Sequence, residues 1–161
     1  MKRFFTLLLF ALMLFCTSCL GYNSIMYDYL SKEENYLLYE GILASSPAEF
    51  VEGEELLLSL QLEKTYIQEN ANLFYHSRKE GEYYLSSFTI CAENAKILYE
   101  NHFFDEVEKG TVLRFRATSW IYMDGNFLFI CAIESNGIEY LRVEEGMNNI
   151  TLLMEANRSL L

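Results

Sequence analysis

The residues best suited to chemistry in this 161-residue chain are Arg114, Arg116, Trp120 and Tyr122, at even spacing within the segment 111–122. In an extended strand that spacing places all four on one side. Planar guanidiniums beside flat rings suit stacking on a sugar ring or a peptide, and their charge suits an acidic partner. A plainer reading uses the same residues. Nearby glutamates are ready partners for the arginines, and the rings can cover a neighbouring element. His76 and His102 stand in dissimilar contexts, neither with a cysteine or carboxylate at ligand spacing, so no metal site is expected and no cofactor is implied. Nucleophile-elbow, P-loop, dinucleotide-binding and HExxH patterns are all missing. With 23 acidic residues some carboxylate pair is always at hand, which decides nothing. No catalytic residue is therefore expected, and the chain reads as a non-enzyme.

Four cysteines complete the reactive set: Cys16, Cys19, Cys91 and Cys131. The first two belong to the N-terminal segment. Lys2 and Arg3 form a positive start, Phe4 to Phe15 are apolar except Thr6, and Cys16-Thr17-Ser18-Cys19 follows. Positive end, short apolar stretch and small residues are the order of a secretory signal. Twelve such residues fall short of the roughly 20 needed to span a bilayer.

Here the chain resembles the bacterial lipoproteins matured by the lipoprotein signal peptidase. Their lipobox runs Leu, a small residue, then Gly, Ala or Ser, then the modified Cys. Thr17, Ser18 and Cys19 take the last three places, while Cys16 stands where Leu is usual. The resemblance covers the signal alone. It implies removal of residues 1–18 and acylation, palmitate included, at Cys19. The domain would then sit outside the cytoplasm, anchored in the cell membrane or the outer membrane, with membrane lipid as its partner through Cys19. Ordinary secretion and an uncleaved anchor are the competing readings.

Residues 1–18 carry Lys2, Arg3 and no acid, so their removal changes the formal charge from −11 to −13. Such a surface repels phosphate backbones, which leads to the expectation that nucleic acid is not a partner. Cys91 and Cys131 lack any CxxC or CxxH pattern. Either a disulfide of an exported protein or two buried thiols fits them, and the residues leave both open.

The elements that must position these groups read as mostly strands. The segment 36–44 is one strand, and Leu56 to Leu62 is a half-buried one with Leu56, Leu58, Leu60 and Leu62 inward. Arg78-Lys79-Glu80-Gly81 reads as a turn into a strand over 83–91, and 66–75 is ambiguous between strand and loop. The segment 92–108 reads as a helix with Asn94 as N-cap, His102 on its surface and Gly110 as its stop. In 111–122, Leu113, Phe115, Ala117, Ser119 and Ile121 face the core, opposite Arg114, Arg116, Thr118, Trp120 and Tyr122. Asp124-Gly125 and Asn136-Gly137 are two-residue hairpin signals, giving a meander closed by Glu144-Glu145-Gly146 and a short helix over 149–161.

This order predicts a mainly β domain and resembles an OB-fold-like small barrel, with a helix between the third and fourth strands. An α+β fold or a β-sandwich is the alternative. The expected organisation is a signal over 1–18, a lipidated tether over 19–34 and one domain over 35–161. Functionally the chain reads as an envelope lipoprotein whose barrel binds another envelope protein or a glycan. An envelope hydrolase built from scattered carboxylates, or a structural subunit of an envelope complex, are the readings from other classes.

Overall fold

In a computed structural model of the chain, the described residues are 25–63, 78–122 and 125–159. Residues 25–30 are helical (α1), and a 3-10 turn at Glu33–Asn35 leads into β1, Leu37–Leu43. Then come β2 (Leu56–Glu63), β3 (Arg78–Glu80) and β4 (Tyr83–Ile90), followed by helices α2 (Ala92–Glu100) and α3 (Phe103–Glu106). Strands β5 (Val112–Tyr122), β6 (Gly125–Ser135) and β7 (Ile138–Leu141) precede the terminal helix α4, Val143–Ser159.

The pairing closes a ring. β1 lies antiparallel between β2 and β5, β2 pairs β4, and β5 pairs β6. A parallel pairing of β4 with β6 joins the two ends. Five strands thus make a barrel in which helices connect β4 to β5, the OB-fold arrangement, and the protein is mainly β. Strands β3 and β7 extend the sheet from β4 and β6.

Alternation builds the barrel core. Leu56, Leu58, Leu60 and Leu62 are all buried, as are Leu113, Phe115 and Ala117 of β5. Phe115 sits among aromatic rings, with its centroid 5.0 Å from Phe88, edge to face, and 5.8 Å from Tyr39. Leu98 of α2, Phe103 of α3 and Val107 belong to the same cluster, so the two helices cap the barrel interior. In β1 the inward position 41 is glycine because Leu62 and Phe115 already fill the space. A Cβ there would come within 2.8 Å of Leu62 Cδ2.

A second apolar layer lies outside the barrel. Leu30, Tyr36, Cys91, Cys131, Ile150 and Met154 form one buried cluster, with Met26, Tyr29, Met147 and Leu153 against it. α1 and α4 therefore cover the outer side of β6. The Tyr36 hydroxyl donates to the Leu30 carbonyl at 2.9 Å, and Tyr27 Oη donates to Glu155 at 3.1 Å.

Several local expectations are corrected. The segment expected as a tether through residue 34 is folded from residue 25 on, because Leu30 and Tyr36 supply side chains that complete the outer layer. Arg78-Lys79-Glu80 is a strand rather than a turn, and the chain reverses at Gly81, whose φ of +62° suits glycine. Cys91, not Asn94, occupies the N-cap of α2, while Asn94 is fully buried and donates to the Gly146 carbonyl at 3.2 Å. His102 does not sit within one long helix: at φ +60° it separates α2 from α3. The meander does not end in a glycine stop, since Gly146 lies inside α4. The ambiguous stretch 66–75 lies outside the described residues.

Candidate ligand face

Arg114 and Arg116 lie on the outer side of β5, beside β1. Their cross-strand partners are Glu40 and Leu38 respectively. Leu38, Arg114, Arg116, Glu134 and Glu139 line a shallow cavity of about 280 Å³ at the β1–β5–β6–β7 surface. Beyond Glu40 the same surface carries a smaller hollow of about 110 Å³, lined by Gln61, Glu63, Tyr83 and Val112 among others.

The two arginines differ in what holds them. Arg114 Nη1 lies 3.7 Å from Glu134, with half its side chain exposed. Arg116 is more engaged: Nη1 lies 3.9 Å from Glu33 and donates to the Tyr36 carbonyl at 3.5 Å. It therefore ties the segment between α1 and β1 to the barrel. Both ion pairs are long and partly exposed, a class worth about 0–1 kcal/mol. Accordingly, Arg114→Ala should lower stability by less than about 1 kcal/mol, read as a urea midpoint close to wild type. A larger loss would show that Arg114 is part of the structural frame and poorly placed to engage a ligand.

Of the other residues expected on this face, only the side chain of Thr118 is described. Thr118, expected on the outward side with the arginines, is fully buried, and its hydroxyl donates to Tyr29 Oη at 3.3 Å. α1 covers this stretch of β5. A register shift between Arg116 and Ala117 accompanies the change. Trp120 and Tyr122 pair through the backbone with Phe127 and Gly125, and their side chains lie outside the described residues. His76 and Cys19 also lie outside them. His102 is exposed, 3.1 Å from Asp105. Leu38, Glu134 and Glu139 are lining residues that sequence reasoning misses. The outward alternation of β1 is legible, but its position beside β5 is not.

Cys91 and Cys131 are free thiols in this structure, both buried under α1 and α4. Burial pushes the Cys91 thiol up to about 11 and the Cys131 thiol up to about 12. The Arg116 charge opposes this at Cys131 without overcoming it. Burial likewise raises Tyr39 to about 12, and burial with the 2.7 Å hydrogen bond to Glu106 raises Tyr140 to about 12.

These are acids with folded values above their unfolded ones, so on raising the pH the unfolded chain releases its protons first. Their stabilising contribution is complete below about pH 9 and declines as the pH rises toward 12. The urea midpoint should accordingly drop as the pH rises from about 9 toward 12, and a thiol reagent at pH 8 should leave both cysteines untouched until urea is added. Rapid labelling of the folded protein would contradict the burial described.

Among the described residues no group of three or more His, Cys, Asp or Glu side chains is placed to hold a metal ion. Nor, among them, is any helix long and apolar enough to cross a membrane.

No protein-family model and no curated protein matches the chain. Solved structures do. A mitochondrial single-stranded DNA-binding protein of S. cerevisiae is 16% identical with a TM-score of 0.43, covering 64% of this chain and 94% of that one. A small single-stranded DNA-binding protein from Streptomyces coelicolor is 10% identical with a TM-score of 0.33, covering 63% and 93%. One from Thermus aquaticus is 15% identical with a TM-score of 0.31, covering 63% and 50%. Likenesses of this size assign no ligand to the chain. Against the expectation that nucleic acid is not a partner, the neighbours found are named as binders of single-stranded DNA, and that expectation is withdrawn. That expectation rested on net charge, a sum over the whole surface, whereas a strand is held by one local groove.

Proposed function

We propose that the chain is a bacterial envelope lipoprotein, acylated on Cys19, whose barrel is a non-catalytic binding module. The observation supporting the anchor is Thr17-Ser18-Cys19 directly after a short apolar run with a positive start. Acylation supplies about 0.8 kcal/mol per buried methylene, and the two or three chains of a lipoprotein hold stably where one does not. Binding is assigned to the outer face of β1 and β5. There the half-exposed Arg114 stands beside the exposed Leu38 in a shallow cavity, an arrangement for a ligand with an acidic group next to an apolar one.

Metabolic labelling with a palmitate analogue tests the anchor: label is expected on the wild type and lost in Cys19→Ala. Equal label in both, or none in the wild type, refutes it. A photo-reactive residue at Leu38 tests the face in living cells. A discrete adduct is expected that weakens with Arg114→Glu, and its composition reads out protein, glycan or nucleic acid. Adducts indifferent to Arg114 would remove the face from the proposal.

A further inference from the structure

The chain between the acylation site and the folded body is short. Only Leu20, Gly21, Tyr22, Asn23 and Ser24 separate Cys19 from α1, which begins by residue 25 and packs on the body through the fully buried Leu30. Whatever path those five residues take, the six Cα–Cα steps from Cys19 to Ile25 reach about 20 Å at most. A body of this size is about 35 Å across, so half its girth is roughly 55 Å. The tether cannot reach around it. The side where the tether enters is therefore held within about 20 Å of the bilayer.

That side is made of α1 and α4, which lie against each other through the Tyr27–Glu155 hydrogen bond and the cluster beneath. It exposes apolar side chains: Ile25 of α1 at 62% and Leu152 of α4 at 53%. Both stand among acidic neighbours, Asp28 and Glu155. We infer that the α1–α4 surface is the membrane-facing side of the protein, lying at the lipid interface with Ile25 and Leu152 toward the acyl region. This rests on acylation at Cys19. β6 separates α4 from the barrel interior, and β1 and β2 lie across the barrel from β6, so the outer faces of those strands point away from the lipid.

The test uses the full acylated chain purified from membranes and reconstituted in phosphatidylcholine vesicles, whose zwitterionic surface does not repel Asp28 and Glu155. An environment-sensitive fluorophore is attached at Leu152→Cys in one sample and at Leu57→Cys, on β2 and 61% exposed, in another. Lipids carrying a nitroxide near the headgroup quench whichever probe lies close. Quenching several-fold stronger at position 152 than at 57 is the expected result, and equal or reversed quenching overturns the inference while leaving the anchor intact. Circular dichroism and the urea midpoint of each labelled variant show that it is folded. Flotation with the vesicles reads the anchor separately: wild type that fails to float, or Cys19→Ala that floats equally well, removes the lipoprotein reading and the orientation with it.

Discussion

Phe115→Ala is expected to destabilise the folded protein by about 4 kcal/mol, the range measured for aromatic truncations in closed cores. Phe115 is 1% exposed at the centre of the barrel, edge-on to Phe88 and beside Tyr39. Neither neighbour can fill the space left behind. Gly41 on the adjacent strand brings no side chain, and the hydrogen-bonded ring of strands resists collapse. Two losses add: the transfer free energy of the ring, and the contacts its neighbours keep only while it is there. Urea unfolding reads this as a large drop in midpoint with an unchanged slope. A loss below about 1 kcal/mol would mean that the barrel closes around some other centre.

Gly146→Ala is the second large effect, and its sign is a contest between two terms. In a helix interior alanine is favoured over glycine by about 1 kcal/mol, so propensity alone predicts a stabilised α4. Packing predicts the reverse. A Cβ at position 146 would overlap the Cys131 carbonyl oxygen and stand 2.7 Å from its carbonyl carbon. Backbone in the middle of β6 cannot rotate aside as a side chain can. The helix must instead lift, which loosens Ile150 and Met154 from the outer layer and strains the bond from Asn94 to the Gly146 carbonyl. Asn149, which donates to Asn94 at 2.9 Å, moves with it. Overpacking of this kind costs about 1–3 kcal/mol, and with backbone as the obstacle the upper end applies, about 3 kcal/mol before the propensity gain is subtracted. A lower urea midpoint together with faster labelling of Cys131 at neutral pH is the expected signature. Unchanged or raised stability would show that α4 does not press on β6.

The two substitutions also separate the layers. Phe115 belongs to the barrel core and Gly146 to the seam between β6 and α4, so the first should unfold everything while the second exposes the outer cluster first. If α1 and α4 form the membrane-facing side, Gly146→Ala should disturb orientation on a vesicle before it disturbs the barrel.

Much of the barrel is legible in the sequence, and the reason is local. Leu56, Leu58, Leu60 and Leu62 alternate with period two, and a strand with one buried face needs no further information to declare that face. Leu113, Phe115 and Ala117 do the same in β5. Asn136 and Gly137 adopt φ of +52° and +80°, the pair of positive values that a tight hairpin demands and that these two residue types tolerate best. A helix between the third and fourth ring strands follows from the loss of β-branched residues after Cys91.

Tertiary structure decided what lies on the outside of that barrel. Arg116 has the spacing of half an exposed pair, yet it holds the Tyr36 carbonyl, 80 residues earlier in the chain. Thr118 has the parity of an outward residue and is buried by Tyr29, 89 residues away. Gly146 carries the type of a residue that closes a meander and serves as the flat spot where a helix meets a strand, 15 positions from Cys131 in sequence and in contact with it in space. Periodicity and turn chemistry are set by neighbours along the chain, and so they can be read from it. Whether an outward face meets water or a distant segment depends on which strands pair and which helix the closed ring leaves room for, and that is a property of the assembled barrel.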